Sequence, residues 1–183
     1  MAIDPGMAGG IALRDRDGNY FTVKLPREAE DMQEVFSHLW ATYPAREWHV
    51  FLENPPLFTG ANLRSSHIGK MYGSYKFCQG YLIGAGVKKL ALLHPIKWQN
   101  LVGCRNSRGL ARPQWKAHLA NHARKLFPDR TVTMWDADAL LILAAGLKLV
   151  EEGSQEIAKA LRTVEKQFNV GTQRLLKSLE ITT

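Results

Sequence analysis

Residues 2–12 read Ala2-Ile3-Asp4-Pro5-Gly6-Met7-Ala8-Gly9-Gly10-Ile11-Ala12. A short apolar run ends in an acid, and a Pro-Gly turn with a small-residue hairpin carries the chain into a second apolar run. The pattern predicts that Asp4 sits where a strand stops. Pro5 removes a backbone donor, and Gly6, Gly9 and Gly10 let the backbone turn tightly, so a bulky group such as a metal-bound phosphate could approach the carboxylate. An ordinary hairpin offers a turn-forming Asp the same place. What Asp4 does therefore depends on what the rest of the chain brings to it.

Working outward, residues 9–14 and 19–25 read as two strands joined at Asp15-Arg16-Asp17-Gly18, a strong hairpin signal, so the chain begins with three antiparallel strands. Across residues 28–43 Met32, Val35, Phe36, Leu39 and Trp40 recur at helical spacing, with acids in the first turn where the helix dipole favours them. Residues 48–52 form a nearly unbroken apolar run, as in a strand buried on both faces, and it closes on Glu53 before Asn54-Pro55-Pro56. A second acid thus ends a strand.

The loop over residues 57–68 has no clear period. From residue 69 to 85 Met71, Tyr75, Cys78, Leu82 and Ala85 form one helical stripe and Gly69, Gly73, Gly80 and Gly84 another; a row of helical glycines implies a close backbone neighbour, either the sheet or a second subunit. Residues 89–93 read as a strand ended by His94-Pro95, residues 96–102 as a brief helix with Trp98, and residues 103–112 as a Gly- and Arg-rich loop. Pro113 suits the first turn of a helix running to Phe127, which carries Lys116. His118 and His122 have a spacing that zinc sites use, but without a third ligand they read as solvated face residues. Residues 130–134 read as a final strand. Asp136-Ala137-Asp138 then opens a helix with Leu141, Ile142, Ala145 and Leu149 inward, which turns Asp138 toward the core side. A buried carboxylate there needs a metal or a lysine as partner. Asp136 is equally suited to be the N-cap. Residues 154–183 read as two charge-balanced amphipathic helices.

The chain has 183 residues, 45% of them hydrophobic and 22% charged, which suits one globular domain with a proper core. No apolar run reaches the length that spans a bilayer, and the start lacks the features of a secretory signal. Cys78 and Cys104 lack spaced partners, which fits a reducing cytoplasm better than a disulfide framework. The net charge of +7 is unevenly distributed: residues 54–128 hold twelve bases and no acid, whereas residues 1–53 hold nine acids and five bases. Solvated faces normally mix both signs, so this stretch points to a polyanion, most plausibly nucleic acid. The candidate DNA-contacting residues in and beside it are Phe58, Arg64, Lys70, Lys76, Lys97, Arg105, Arg108, Arg112 and Lys116.

Asp4 and Glu53 at strand ends, with Asp138 and Asp136 at a helix start, make a set of carboxylates stable as anions together mainly around divalent cations. Oxygen-only ligands favour Mg²⁺ or Mn²⁺, and two such ions suit phosphodiester hydrolysis. The sequence resembles the RuvC-type Holliday junction resolvases of the ribonuclease H-like superfamily, with their phage, poxvirus and chloroplast relatives. The resemblance is carried by the opening Ile-Asp-Pro-Gly with Gly-Gly-Ile-Ala, by Phe-Leu-Glu-Asn-Pro-Pro, by His-Pro-Ile-Lys-Trp-Gln, by the Lys116 helix leading to Leu-Phe-Pro, and by Asp-Ala-Asp-Ala-Leu-Leu. It implies an α/β fold with a five-stranded mixed sheet flanked by helices over residues 1–150; residues 151–183 lie beyond the part it covers and read as an added helical extension. It also implies a homodimeric, Mg²⁺-dependent endonuclease that nicks paired strands of a four-way DNA junction. By the same resemblance Asp4, Glu53 and Asp138 match metal-binding acids, Asp136 a fourth, and Lys116 a catalytic lysine. The implied setting is the cytoplasm of a bacterial or phage-infected cell, or an organelle nucleoid after removal of a targeting segment, with no membrane and no nucleotide cofactor. The last two acids stand two apart where the family often has three or four. A branched-DNA clamp that does not cut is the alternative. A two-domain sugar-kinase or actin-like fold would need more than twice this length.

Overall fold

The computed structural model describes residues 1–56, 65–104 and 110–153, with backbone alone at 65–67. Phe58, Arg64, Arg105, Arg108 and the extension from residue 154 lie outside the described residues. Five strands form one sheet in the order β3-β2-β1-β4-β5. They are β1 (Ala2–Ile3), β2 (Gly10–Arg14), β3 (Tyr20–Lys24), β4 (His49–Glu53) and β5 (Lys89–Leu93). The first three pair antiparallel, while β1 with β4 and β4 with β5 pair parallel. The mixed sheet is the one expected from the sequence. The helices are α1 (Ala29–Thr42), α2 (Ser65–Gly84), α3 (Pro95–Leu101), α4 (Arg112–Leu126) and α5 (Ala137–Glu151).

Alternation along the strands splits the core in two. Ile3, Ile11, Val50, Leu52 and Leu90 face α1 and α2, packing with Phe36 and Leu82. Ala2, Ala12, Phe51 and Ala91 face α3, α4 and α5. The second set is small apart from Phe51, so α5 can lie close on the sheet. At Gly146 a side chain would collide with the Phe51 ring, so only glycine permits this approach. With α3 and α4 packed on its other side, α5 is buried nearly all round over residues 137–143, rather than along one face as its sequence suggests.

Two expectations are corrected. Residues 130–134 are not a strand, and among the described residues the sheet ends at β5. Their polar backbone atoms are taken up by other partners: Arg124 Nε donates to the Val132 carbonyl at 3.2 Å, and the Thr133 N–H donates to Asp136 Oδ1 at 2.7 Å. The glycine stripe of α2 does not pack on the sheet, because a Cβ at Gly69, Gly73, Gly80 or Gly84 would meet nothing within 4 Å. That face of α2 is open among the described residues, while Tyr75, Cys78 and Leu82 supply its buried side. Burial pushes the Cys78 thiol up to about 12, so it is a packing residue rather than a nucleophile.

Candidate active site

The parallel register of β1 and β4 pairs Ile3 with Leu52, so Asp4, just past the end of β1, and Glu53, the last residue of β4, come side by side at one end of the sheet. Asp4 is buried, and the turn after it is built around its carboxylate: the Gly6 N–H donates to Asp4 Oδ1 at 2.9 Å. A Cβ at Gly6 would press on the same oxygen at 2.9 Å, and one at Gly9 would collide with the Asp4 carbonyl. The glycines thus serve the acid directly. Glu53 is steadied from the other side by Trp98, whose Nε1 donates to Oε1 at 3.0 Å. Trp98 is fully buried on α3, a helix opened by Pro95 and by His94 Nδ1, which accepts from the Ile96 N–H.

Asp138 reaches the same place from the first turn of α5, and Lys116 from the first turns of α4. The Lys116 ammonium donates to Asp138 Oδ2. Oδ1 of Asp138 is buried and, among the described residues, has no hydrogen-bond partner. The electrostatics follow from this crowding. Burial, and then the charge of Asp138, push the Asp4 carboxyl above the ordinary range against the opposing pull of Lys116. Burial and the charge of the nearby Asp4 push Glu53 well above its usual value, with the Trp98 hydrogen bond opposing. Burial works against the Lys116 ammonium, but Asp138, Asp4 and Glu53 outweigh it and hold its pKa above the usual value. These four side chains line a cleft of about 370 Å³ together with Met7, Arg112 and Trp115.

The donor chemistry fits a hard divalent cation. Three carboxyl groups from separate elements converge, and one buried carboxylate oxygen lacks a partner, which a metal would satisfy. Among the described residues no group of three His, Cys, Asp or Glu side chains is arranged to hold a metal ion as it stands. In the present arrangement Lys116 occupies the place beside Asp138 that a cation would contest.

Asp136 goes elsewhere. It stands at the N-cap position of α5 without capping the helix. Its Oδ1 accepts from the Thr133 N–H at 2.7 Å and the Thr133 hydroxyl at 2.8 Å, and its Oδ2 from the Thr22 hydroxyl at 3.2 Å. Arg130, which donates to that same hydroxyl at 2.8 Å, lies 4.0 Å from Oδ2. This cluster ties the entry of α5 to β3, and the carboxylate does not line the cleft.

Of the cations expected to meet DNA, Arg112 and Lys116 line the cleft, whereas Lys70 borders a neighbouring groove shared with Gly6 and Met7. Lys76 is exposed on α2, bonded to Gln79 Oε1 at 3.0 Å, and Lys97 is half-buried on α3. His122 bonds the Val102 carbonyl at 2.6 Å and His118 stacks on Trp115, so the pair does not form a zinc site. Sequence reasoning missed Trp98 and Trp115 as parts of the site. Trp98 lies inside the His-Pro-Ile-Lys-Trp-Gln segment, but no spacing rule links an indole to a glutamate 45 residues earlier.

A scan against protein-family models matches none, and no curated protein matches the sequence. Among solved structures, Thermus thermophilus RuvC in complex with Holliday junction substrate aligns over 82% of this chain and 94% of its own, at a TM-score of 0.52 and 15% identity. A structure of Thermus thermophilus RuvC aligns over the same shares at a TM-score of 0.49 and 17% identity. The chain has a ribonuclease H-like α/β fold, which it shares with that junction-bound RuvC structure. Among the described residues no helix is long and apolar enough to cross a membrane.

Proposed function

We propose that the protein is a divalent-metal-dependent endonuclease that resolves four-way DNA junctions by paired nicks. The observation that carries this reading is the convergence of Asp4, Glu53 and Asp138 with Lys116 in one cleft, where a buried oxygen of Asp138 lacks a partner among the described residues. Asp4, Glu53 and Asp138 would hold the cations, Mg²⁺ or Mn²⁺, which when bound supply charge neutralisation and a more acidic water for phosphodiester hydrolysis. Trp98 fixes the rotamer of Glu53, and the Gly6 N–H that of Asp4, so both carboxylates are pre-positioned. Lys116, whose ammonium pairs with Asp138 in the same cleft, is the group that would stabilise the charge building on the phosphoryl and leaving oxygens.

The substrate follows from charge and shape. Residues 54–128 carry twelve bases and no acid, and Arg112 and Lys116 place part of that charge at the cleft. The fold is shared with a protein whose structure holds a Holliday junction substrate. A four-way junction has two-fold symmetry, and the open glycine face of α2 gives a surface on which a second copy can pack closely. A dimer at micromolar concentration on sedimentation is the expected state, and a strict monomer would remove the paired-nick part of the reading.

The direct test is gel analysis of an end-labelled four-way junction incubated with the protein in Mg²⁺ and in chelator. Paired nicks in Mg²⁺ alone are the expected result. Binding without cleavage under both conditions would replace the nuclease with a branched-DNA clamp.

A further inference from the structure

Trp115 stands apart from the other cleft residues. On the same helix Ala120 and Ala123 are buried in the core and Leu119, also buried, reaches the cleft only from the core side, whereas Trp115, one turn nearer the N-terminus, packs on that core, stays partly exposed and lines the cleft of Asp4, Glu53, Lys116 and Asp138. Its ring stacks on His118 with centroids 5.2 Å apart and planes 18° from parallel. His118 thus backs one face of the indole, which stays partly exposed where it lines the cleft. A site that handled only a phosphate and cations would be lined by charges and backbone N–H groups. This cleft instead has an aromatic face beside the lysine and apolar walls at Met7 and Pro95, and at about 370 Å³ it falls within the range of pockets that enclose a small organic group.

We propose that Trp115 is a stacking platform for one unpaired nucleobase adjoining the scissile phosphate. The proposal rests on the nuclease reading and adds a subsite to it. With the phosphate at the carboxylates and Lys116, the attached nucleotide would lie in the same cleft that Trp115 lines. Every base has a π-face, so the platform discriminates by availability rather than by identity. A base in intact duplex must first be unstacked, while a base at a branch point is released more readily. Arg112, exposed three residues earlier on α4, is placed to hold a neighbouring phosphate. Trp115 thereby couples strand opening to cleavage: the phosphate seats well only when its neighbouring base has left the stack.

The test is a substrate scan crossed with a side-chain change. Four-way junctions carrying a single abasic nucleotide at each position within three of the cut are assayed for binding to the Glu53→Gln chain and for cleavage by the unmodified chain. One abasic position is expected to lower cleavage about tenfold, the size of one lost base–aromatic stack. In Trp115→Ala the intact junction loses the same factor and the abasic penalty disappears, while Trp115→Phe keeps most of both. Equal cleavage of every abasic junction by the unmodified chain overturns the platform, whatever the fate of the Trp115 variants. So does an abasic penalty that persists unchanged in Trp115→Ala or Trp115→Phe. If the Glu53→Gln chain binds no junction at all, the nuclease reading falls first and the platform with it.

Discussion

Asp136 and Asp138 are two residues apart, of one type, and both buried, yet they do opposite things. Asp136 has its oxygens filled by Thr133 and Thr22 with Arg130 beside them, so its charge is fully accounted for by the fold. Asp138 shares one oxygen with Lys116 and leaves the other without a partner. Burial alone does not mark a functional carboxylate. A closed set of hydrogen bonds joins elements of the fold, and the open set beside other acids is where the proposed cation would bind.

The contrast is broken most directly by substitution. Asp4→Asn, Glu53→Gln and Asp138→Asn keep size and remove charge, and each is expected to lower junction cleavage under Mg²⁺ at least about a hundredfold, since loss of supporting residues around metal sites alone reaches that factor. Binding to the junction in chelator is expected to survive and to tighten, because each change removes a charge that repels phosphate. If Asp4→Asn and Glu53→Gln cut at the unmodified rate, the cleft is not catalytic. Asp136→Ala should move stability instead. It leaves the Thr133 N–H without its acceptor, a loss of about 1–3 kcal/mol in urea unfolding, with cleavage per folded molecule close to unmodified. A hundredfold loss of turnover in a well-folded Asp136→Ala would return Asp136 to the metal site.

Smaller effects sharpen the same comparison. Trp98→Phe keeps the ring in the core and removes the donor to Glu53, so about tenfold slower cleavage with nearly unchanged junction affinity is expected. The pH dependence of stability is the next test. Asp4 and Glu53 have native pKa values raised from 3.8 and 4.5, so between those ordinary values and the raised ones the native chain binds more protons than the unfolded chain. In chelator, stability should therefore fall as pH rises through that window. Lys116, also raised, keeps its contribution at every pH below its ordinary 10.5 and loses it only above. Added Mg²⁺ should stabilise the protein more at pH 7.5 than at pH 4.5, measured by urea midpoint. Equal stabilisation at both would mean that the carboxylates do not hold the cation. Least in size is the dependence on salt: junction affinity should fall with a log–log slope of about 0.9 per phosphate contacted, and Arg112→Ala should reduce that slope by about one contact.

Much of this was legible in the sequence because it is local. The hairpin at Asp15-Arg16-Asp17-Gly18, the strand that closes on Glu53 and the helix carrying Lys116 are written in turn residues and periodicity, and the structure places them within a few residues of the expected bounds. The placement of Asp4 at a strand end followed from Pro5 and the glycines alone. Tertiary structure decided what depends on neighbours distant in sequence. Residues 130–134 have a strand's composition, but Arg124 and Asp136 occupy their backbone groups before any strand can. Asp136 looked like a cap or a ligand because both roles need an acid at a helix start, and Thr22, on a strand 114 residues earlier, claimed one of its oxygens. Trp98 became a partner of Glu53 only because parallel strands carry their following helices to the same end of the sheet. Periodicity records which side of an element faces inward. Which group a side chain meets there is set by register and crossover, and those exist only once the chain has folded.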